Sequence, residues 1–172
     1  MVINEKEGSC ALIISAILKT GISTTNMSGE IRPGGILIPI GGAEDRGEEL
    51  NPKLPFEEKG VLKHVIGEAK GADSKVVVVT TASSIPKEVF SQYQEGFARL
   101  GCKSIKHFHS LDKKDCDNPE VLKAFSEADV IMFSGGNQSK LPKCMGDTAL
   151  LRLIHQRYMN EPVVIAGTSA GA

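Results

Sequence analysis

The sequence has no dominant charge: 20 Lys and Arg stand against 21 Asp and Glu, for a formal net charge of -1. Such a chain sets up no long-range field for nucleic acid or an anionic membrane, so neither is expected as a partner. Cysteine is scarce. Cys10, Cys102, Cys116 and Cys144 form no C-x-x-C pair, which excludes a disulfide scaffold or a zinc ribbon and suggests a reduced interior with small buried thiols. No apolar run approaches a membrane span. The nearest thing to a signal peptide, Cys10–Leu18, is short, follows Glu5 and Glu7, and lacks a clear cleavage site, so a cytoplasmic location is expected. There is no internal repeat, and no His/Asp/Glu cluster has metal-ligand spacing, so neither metal nor cofactor is expected.

What remains is a globular composition, 41% apolar and 24% charged over 172 residues. That length suits one domain or part of a larger one. Residues 1–30 are polar apart from one short apolar run and read as an N-terminal extension. From residue 31 to 172 short apolar runs alternate with amphipathic segments. The runs are Ile36–Ile40, Lys75–Thr80, Ser104–Phe108, Val130–Phe133 and Val163–Ala166. The intervening helical patterns are Phe56–Ala69, Lys87–Leu100, Pro119–Ser126 and Asp147–Tyr158, the last with Asp147 as its expected cap. Unbroken apolar strands are buried on both faces, and their alternation with helices predicts an α/β fold with a mostly parallel sheet covered on each side.

Ligands of open α/β sheets bind beyond the carboxyl ends of the strands. Three predicted strands end in glycine-bearing segments: Gly41–Gly47, Ser134–Gln138 and Gly167–Gly171. These ends should converge on one edge. Gly41–Gly47 lacks G-x-G-x-x-G spacing, so a dinucleotide site fits poorly; Glu44, Asp45 and Arg46 read as pocket lining or as solvated loop charges. Gly167-Thr168-Ser169-Ala170-Gly171 matches G-x-S-x-G directly after a buried strand, the pattern of a nucleophile elbow. There Ser169 would be the nucleophile, and the Ala170 N–H would face a developing oxyanion. The same pentapeptide also suits a tight structural turn or a phosphate-binding nest. A glycine N–H of Ser134–Gln138 can supply a second oxyanion donor and Gln138 a substrate contact, or the segment is an ordinary turn. Thr80–Ser84 offers hydroxyls for substrate or for capping the next helix. Among the four histidines only His109, at a strand end, is a candidate base.

Gly-Gly-Ala-Glu-Asp at 41–45, Thr-Thr-Ala-Ser at 80–83, Ser-Gly-Gly-Asn-Gln at 134–138 and Gly-Thr-Ser-Ala-Gly-Ala at 167–172 together resemble the cyanophycinases. These are serine exopeptidases of peptidase family S51, relatives of the aspartyl dipeptidases. The resemblance runs from about Gly34 to the end. It implies a fold similar to class I glutamine amidotransferases and hydrolysis of cyanophycin, an arginine-bearing polyaspartate, to β-Asp-Arg dipeptides. By motif match it implies Ser169 as nucleophile, Gly136 and Ala170 as oxyanion donors, and Gln138 on the aspartyl portion of the substrate. The family's triad acid and histidine follow the serine, so the resemblance implies that they lie beyond Ala172 and that residues 31–172 are the N-terminal part of the peptidase domain. Two other readings stay open: an aspartyl dipeptidase of the same family, and a non-catalytic α/β domain that binds an anion or a partner chain. An exposed sheet edge favours self-association, so a homodimer is a further expectation.

Overall fold

A computed structural model describes residues 33–42 and 60–171. The expected extension 1–30, the loop carrying Glu44, Asp45 and Arg46, the helix start at Phe56, and Cys10 all lie outside the described residues. Within them the chain runs β1 (Ile36–Ile40), α1 (Val61–Gly67), β2 (Lys75–Val79), α2 (Pro86–Arg99), β3 (Ser104–Phe108), α3 (Pro119–Glu127), β4 (Val130–Phe133), α4 (Lys140–Met145), α5 (Ala149–Asn160) and β5 (Val164–Thr168). The strands form one sheet in the order β1-β5-β4-β2-β3, and every neighbouring pair is parallel. No helix of the described residues is long and apolar enough to cross a membrane.

The side-chain period of two explains why both faces are covered. Val76 and Val78 of β2 pack with Leu62, Ile66, Tyr93 and Phe97 from α1 and α2. Val77 and Val79 point the other way, into a core with Phe125, Leu141, Leu150 and Ile154 from α3, α4 and α5. Chain direction accounts for this division. The connections β1→β2→β3 run one way across the sheet, and β3→β4→β5 run back. Because βαβ crossovers keep one hand, reversing direction moves the helices to the opposite face. The neighbours β2 and β4 therefore send their chains to opposite faces, which opens a crevice between their carboxyl ends.

Local chemistry fixes the element ends. Pro86 and Pro119 occupy first-turn positions of α2 and α3, and the Asn118 side chain accepts the Glu120 N–H at 2.8 Å. The cap of α5 is Thr148 rather than Asp147. The Thr148 hydroxyl accepts the Leu151 N–H at 3.3 Å, while Asp147 sits one residue earlier with φ +63°, in the turn that leads in. α4 was not expected, because a six-residue helix containing Pro142 carries too short a pattern to register. β5 runs to Thr168, two residues beyond its expected end, so the strand continues through Gly167 to the residue before Ser169.

Two polar arrangements, one buried around Arg157 and one partly exposed around Asp129, tie neighbouring elements together. Arg157 of α5 donates through Nη1 to the Phe125 and Ala128 carbonyls at 2.7 and 2.6 Å, and through Nε to Glu161 at 2.7 Å. These bonds satisfy carbonyls at the end of α3 that have no partner within that helix. At the amino edge of the sheet Asp129 accepts from Lys70 Nζ at 2.8 Å and from the Lys75 N–H at 2.9 Å. Cys116 and Cys144 touch, with sulfurs 3.7 Å apart, and both are buried. Burial, reinforced by the neighbouring thiol, pushes Cys116 up to about 12, so it stays a protonated, inert thiol.

Burial alone would raise the Asp129 carboxyl, but the bonds from Lys70 and Lys75 outweigh it and hold its pKa below the usual 3.8. A depressed carboxylate stabilises the fold above its unfolded pKa and loses that contribution as pH falls through the folded value. Asp129→Asn should therefore lower the urea midpoint at pH 7, and the difference should shrink as pH falls through the lowered pKa of Asp129, below 3.8. A constant gap across that range, read from urea melts, would contradict the assignment.

Candidate functional site

Ser169 follows β5 as the first residue of a single 3₁₀ turn, Ser169–Gly171. Its φ is +50°, and only one other non-glycine among the described residues, Asp147, has a positive φ. A left-handed conformation at a residue with a Cβ costs about 1–3 kcal/mol and persists only where surroundings impose it. Here the strand before it, Val164–Thr168, is buried throughout, whereas Ser169 itself is exposed. A fully buried strand thus delivers one exposed hydroxyl at the carboxyl edge of the sheet.

The surroundings that hold the turn are identifiable. A methyl group placed on Gly171 would lie 2.6 Å from the Phe133 carbonyl oxygen and 2.7 Å from that of Ser134, so the turn packs against the end of β4 as only glycine allows. At the strand end before Ser169, Thr168 Oγ1 and Tyr93 Oη are 3.2 Å apart, both buried. Pairing of Ile40 with Thr168 brings the end of β1 alongside, and a methyl on Gly42 would come within 3.8 Å of Ser169 Cβ. A methyl on Gly135 would come within 3.4 Å of the same atom. The three glycine-bearing strand ends therefore meet around Ser169.

The turn after β4 is itself pinned. The Ser134 N–H donates to the Val79 carbonyl at 2.9 Å and the Asn137 N–H to the Ala82 carbonyl at 2.8 Å, leaving Gly135 and Gly136 between two anchored residues. Lys140 Nζ adds a bond to the Ser83 carbonyl at 3.1 Å. Gly136 has φ +141° and lies so close to Ala82 that a Cβ would collide with its carbonyl. Gln138 is half-buried two residues further on, and its carbonyl accepts the Leu141 N–H at 3.3 Å as α4 begins. Ala170 is the central residue of the 3₁₀ turn.

The segment after β2 serves structure as well as the site. Ser83 Oγ accepts the Ile85 N–H at 3.0 Å and so shapes the entry to α2, although Ile85 is the residue at the cap position. Among the described residues Thr81 Oγ1 is buried without a hydrogen-bond partner. Thr80 Oγ1 meets His107 Nε2 at 2.7 Å, and His109 Nδ1–H donates to the Thr80 carbonyl at 3.0 Å. His107 stacks on Phe90 with ring centroids 4.2 Å apart; burial, then His109, lowers its pKa. These contacts bind β3 to β2. β3 is three strand positions from β5, or about 14 Å at the usual spacing. The structure does not bring His109 to Ser169, and the candidate base is withdrawn on that ground. The open depression bounded by Ser110, Leu111, Asp112, Asp115 and Lys143 also lies past β3. Among the described residues no group of three or more His, Cys, Asp or Glu is arranged to hold a metal.

Sequence reasoning missed Tyr93 and Lys140. Tyr93 fitted the apolar face of α2, and nothing in its spacing signals that its hydroxyl reaches the end of a strand 75 residues away. The glycines offer a graded test. Gly136→Ala should lose about 2 kcal/mol or more of stability through the Ala82 collision and the φ it requires. Gly41→Ala, whose added methyl has nothing within 4 Å among the described residues, should melt within a degree or two of the parent. Equal melting temperatures for both variants would contradict the close approach at Gly136.

Known proteins resemble this chain in sequence and in fold. The profile of peptidase family S51 matches residues 55–172. The cyanophycinase of Trichormus variabilis is 24% identical over 136 residues, which cover 79% of this chain and 43% of that protein. For the cyanophycinase of Geminocystis herdmanii the figures are 28% over 136 residues, 79% and 47%. The crystal structure of a peptidase from an acI-B1 actinobacterium aligns with a TM-score of 0.62 at 27% identity, covering 85% of this chain and 58% of that one. The fold is accordingly consistent with the class I glutamine amidotransferase-like architecture. The chain spans less than half the length of these cyanophycinases. With the family profile covering more than half of its residues, and with a solved peptidase of similar fold, the chain belongs to peptidase family S51.

Proposed function

We propose that this chain carries the nucleophile side of a serine-type exopeptidase site that cleaves cyanophycin to β-Asp-Arg dipeptides. The observation that carries the reading is Ser169: an exposed hydroxyl at φ +50°, at the end of a buried strand, against a pinned glycine turn. A strained turn that exposes a serine hydroxyl directly after a buried strand is the geometry of a nucleophile elbow. The similarity to cyanophycinases supports the choice of substrate.

In this reading Ser169 Oγ attacks the scissile carbonyl and its proton passes to a base. The carbonyl oxygen takes up the negative charge and is held by the N–H groups of Ala170 and Gly136, donors already oriented before charge develops. The amine leaves with the proton from the base. Water then attacks the acyl-enzyme, frees the dipeptide and restores the hydroxyl. Gln138 holds the aspartyl portion of the substrate through its amide. The acid and histidine of the triad are those that the family resemblance assigns to residues beyond Ala172.

Cyanophycin should release β-Asp-Arg when the chain is assayed together with a matching C-terminal family fragment, and Ser169→Ala should lower that rate at least about 10³-fold. Rates on α-Asp-X and β-Asp-Arg dipeptides separate cyanophycinase from aspartyl dipeptidase activity. Release unaffected by Ser169→Ala would overturn the nucleophile assignment.

A further inference from the structure

We infer that Tyr93 is a positioning residue for Ser169, acting through Thr168. The inference rests on the reading of Ser169 as nucleophile and adds a residue outside the G-x-S-x-G motif.

The elbow needs support from two sides. Gly171 packs beneath the Phe133 and Ser134 carbonyls and fixes the turn after Ser169. Before Ser169, the last strand residue is Thr168. Its hydroxyl is 3.2 Å from Tyr93 Oη, with Tyr93 fully buried and Thr168 2% exposed. Tyr93 belongs to the 14-residue helix α2 and packs near Phe97, with ring centroids 6.3 Å apart. It is among the largest fully buried side chains of the molecule. A rigid aromatic stem in the core therefore carries one polar group to the peptide that precedes the strained residue.

The location of Thr168 gives this bond leverage. The same residue pairs with Ile40 of β1 and lies against Gly135 of the β4 turn, where a methyl would be 3.3 Å from its carbonyl and 3.8 Å from its hydroxyl. A shift of Thr168 would thus move Ser169 relative to the glycine turn that lines its approach. Displacements of about 1 Å at a reacting centre can reduce rates by about 100-fold. The Thr168 hydroxyl buried without this partner would also seek another one and pull the strand end with it.

The rate at which a fluorophosphonate modifies Ser169 in the chain combined with a matching C-terminal family fragment, followed by intact-protein and peptide mass spectrometry, tests the proposal. Tyr93→Phe should slow modification by roughly tenfold or more at a temperature well below melting. Thr168→Val should slow it similarly, the double variant should be no slower than either single one, and Thr168→Ser should restore the parent rate. A merely structural hydroxyl would change melting temperature without this pattern. Should Tyr93→Phe fail to fold, the contrast between Thr168→Val and Thr168→Ser decides. Modification of the parent at Ser169 with equal rates in all variants overturns the positioning role and leaves the nucleophile standing. No modification of the folded parent at Ser169 in the presence of that fragment overturns the nucleophile reading, and this proposal with it.

Discussion

The left-handed backbone of Ser169 is the constraint on which the rest of this structure bears. An L-residue does not adopt that conformation without support, and the support comes from distant parts of the chain. β5 is central enough to be buried along its whole length. The β4 end supplies carbonyls against which Gly171 closes, and Gly135 leaves room for the Ser169 side chain. The helical layers matter to the site because they hold those strand ends in register.

Topology explains why these parts meet here. Reversal of chain direction after β3 sends α1 and α2 to one face and α3, α4 and α5 to the other. The crevice so formed lies between β2 and β4, and the segments after those strands are bonded across it by Asn137 to Ala82 and by Lys140 to Ser83. β5 is the next strand over. A substrate entering the crevice would meet the glycine turn and the exposed hydroxyl together, an arrangement that suits acyl transfer better than binding alone.

Much of this was legible in the sequence because hydrophobic pattern is local. Val76–Val79 reads as a strand buried on both faces, and its residues do divide between two cores. Ser104–Phe108 and Val130–Phe133 have the ends their composition suggests. Convergence of glycine-bearing strand ends followed from parallel pairing alone. Where reading failed, the deciding fact was tertiary or stereochemical. Asp147 looks like a cap, but the chain needed a left-handed residue there and left the cap to Thr148. His109 lies at the correct end of its strand, yet strand order, which sequence does not reveal, carries it to the far side of the sheet. The hydroxyl of Tyr93 was invisible for the same reason.

The central claim is that Ser169 and the two backbone donors Ala170 and Gly136 form one acyl-transfer site. A crystal structure of the chain combined with a matching C-terminal family fragment, after reaction with a fluorophosphonate, tests it most directly. The account predicts phosphorus bonded to Ser169 Oγ, with the phosphonyl oxygen roughly 2.7–3.1 Å from both N–H groups. An adduct whose oxygen points to solvent, or one formed on another residue, would contradict it.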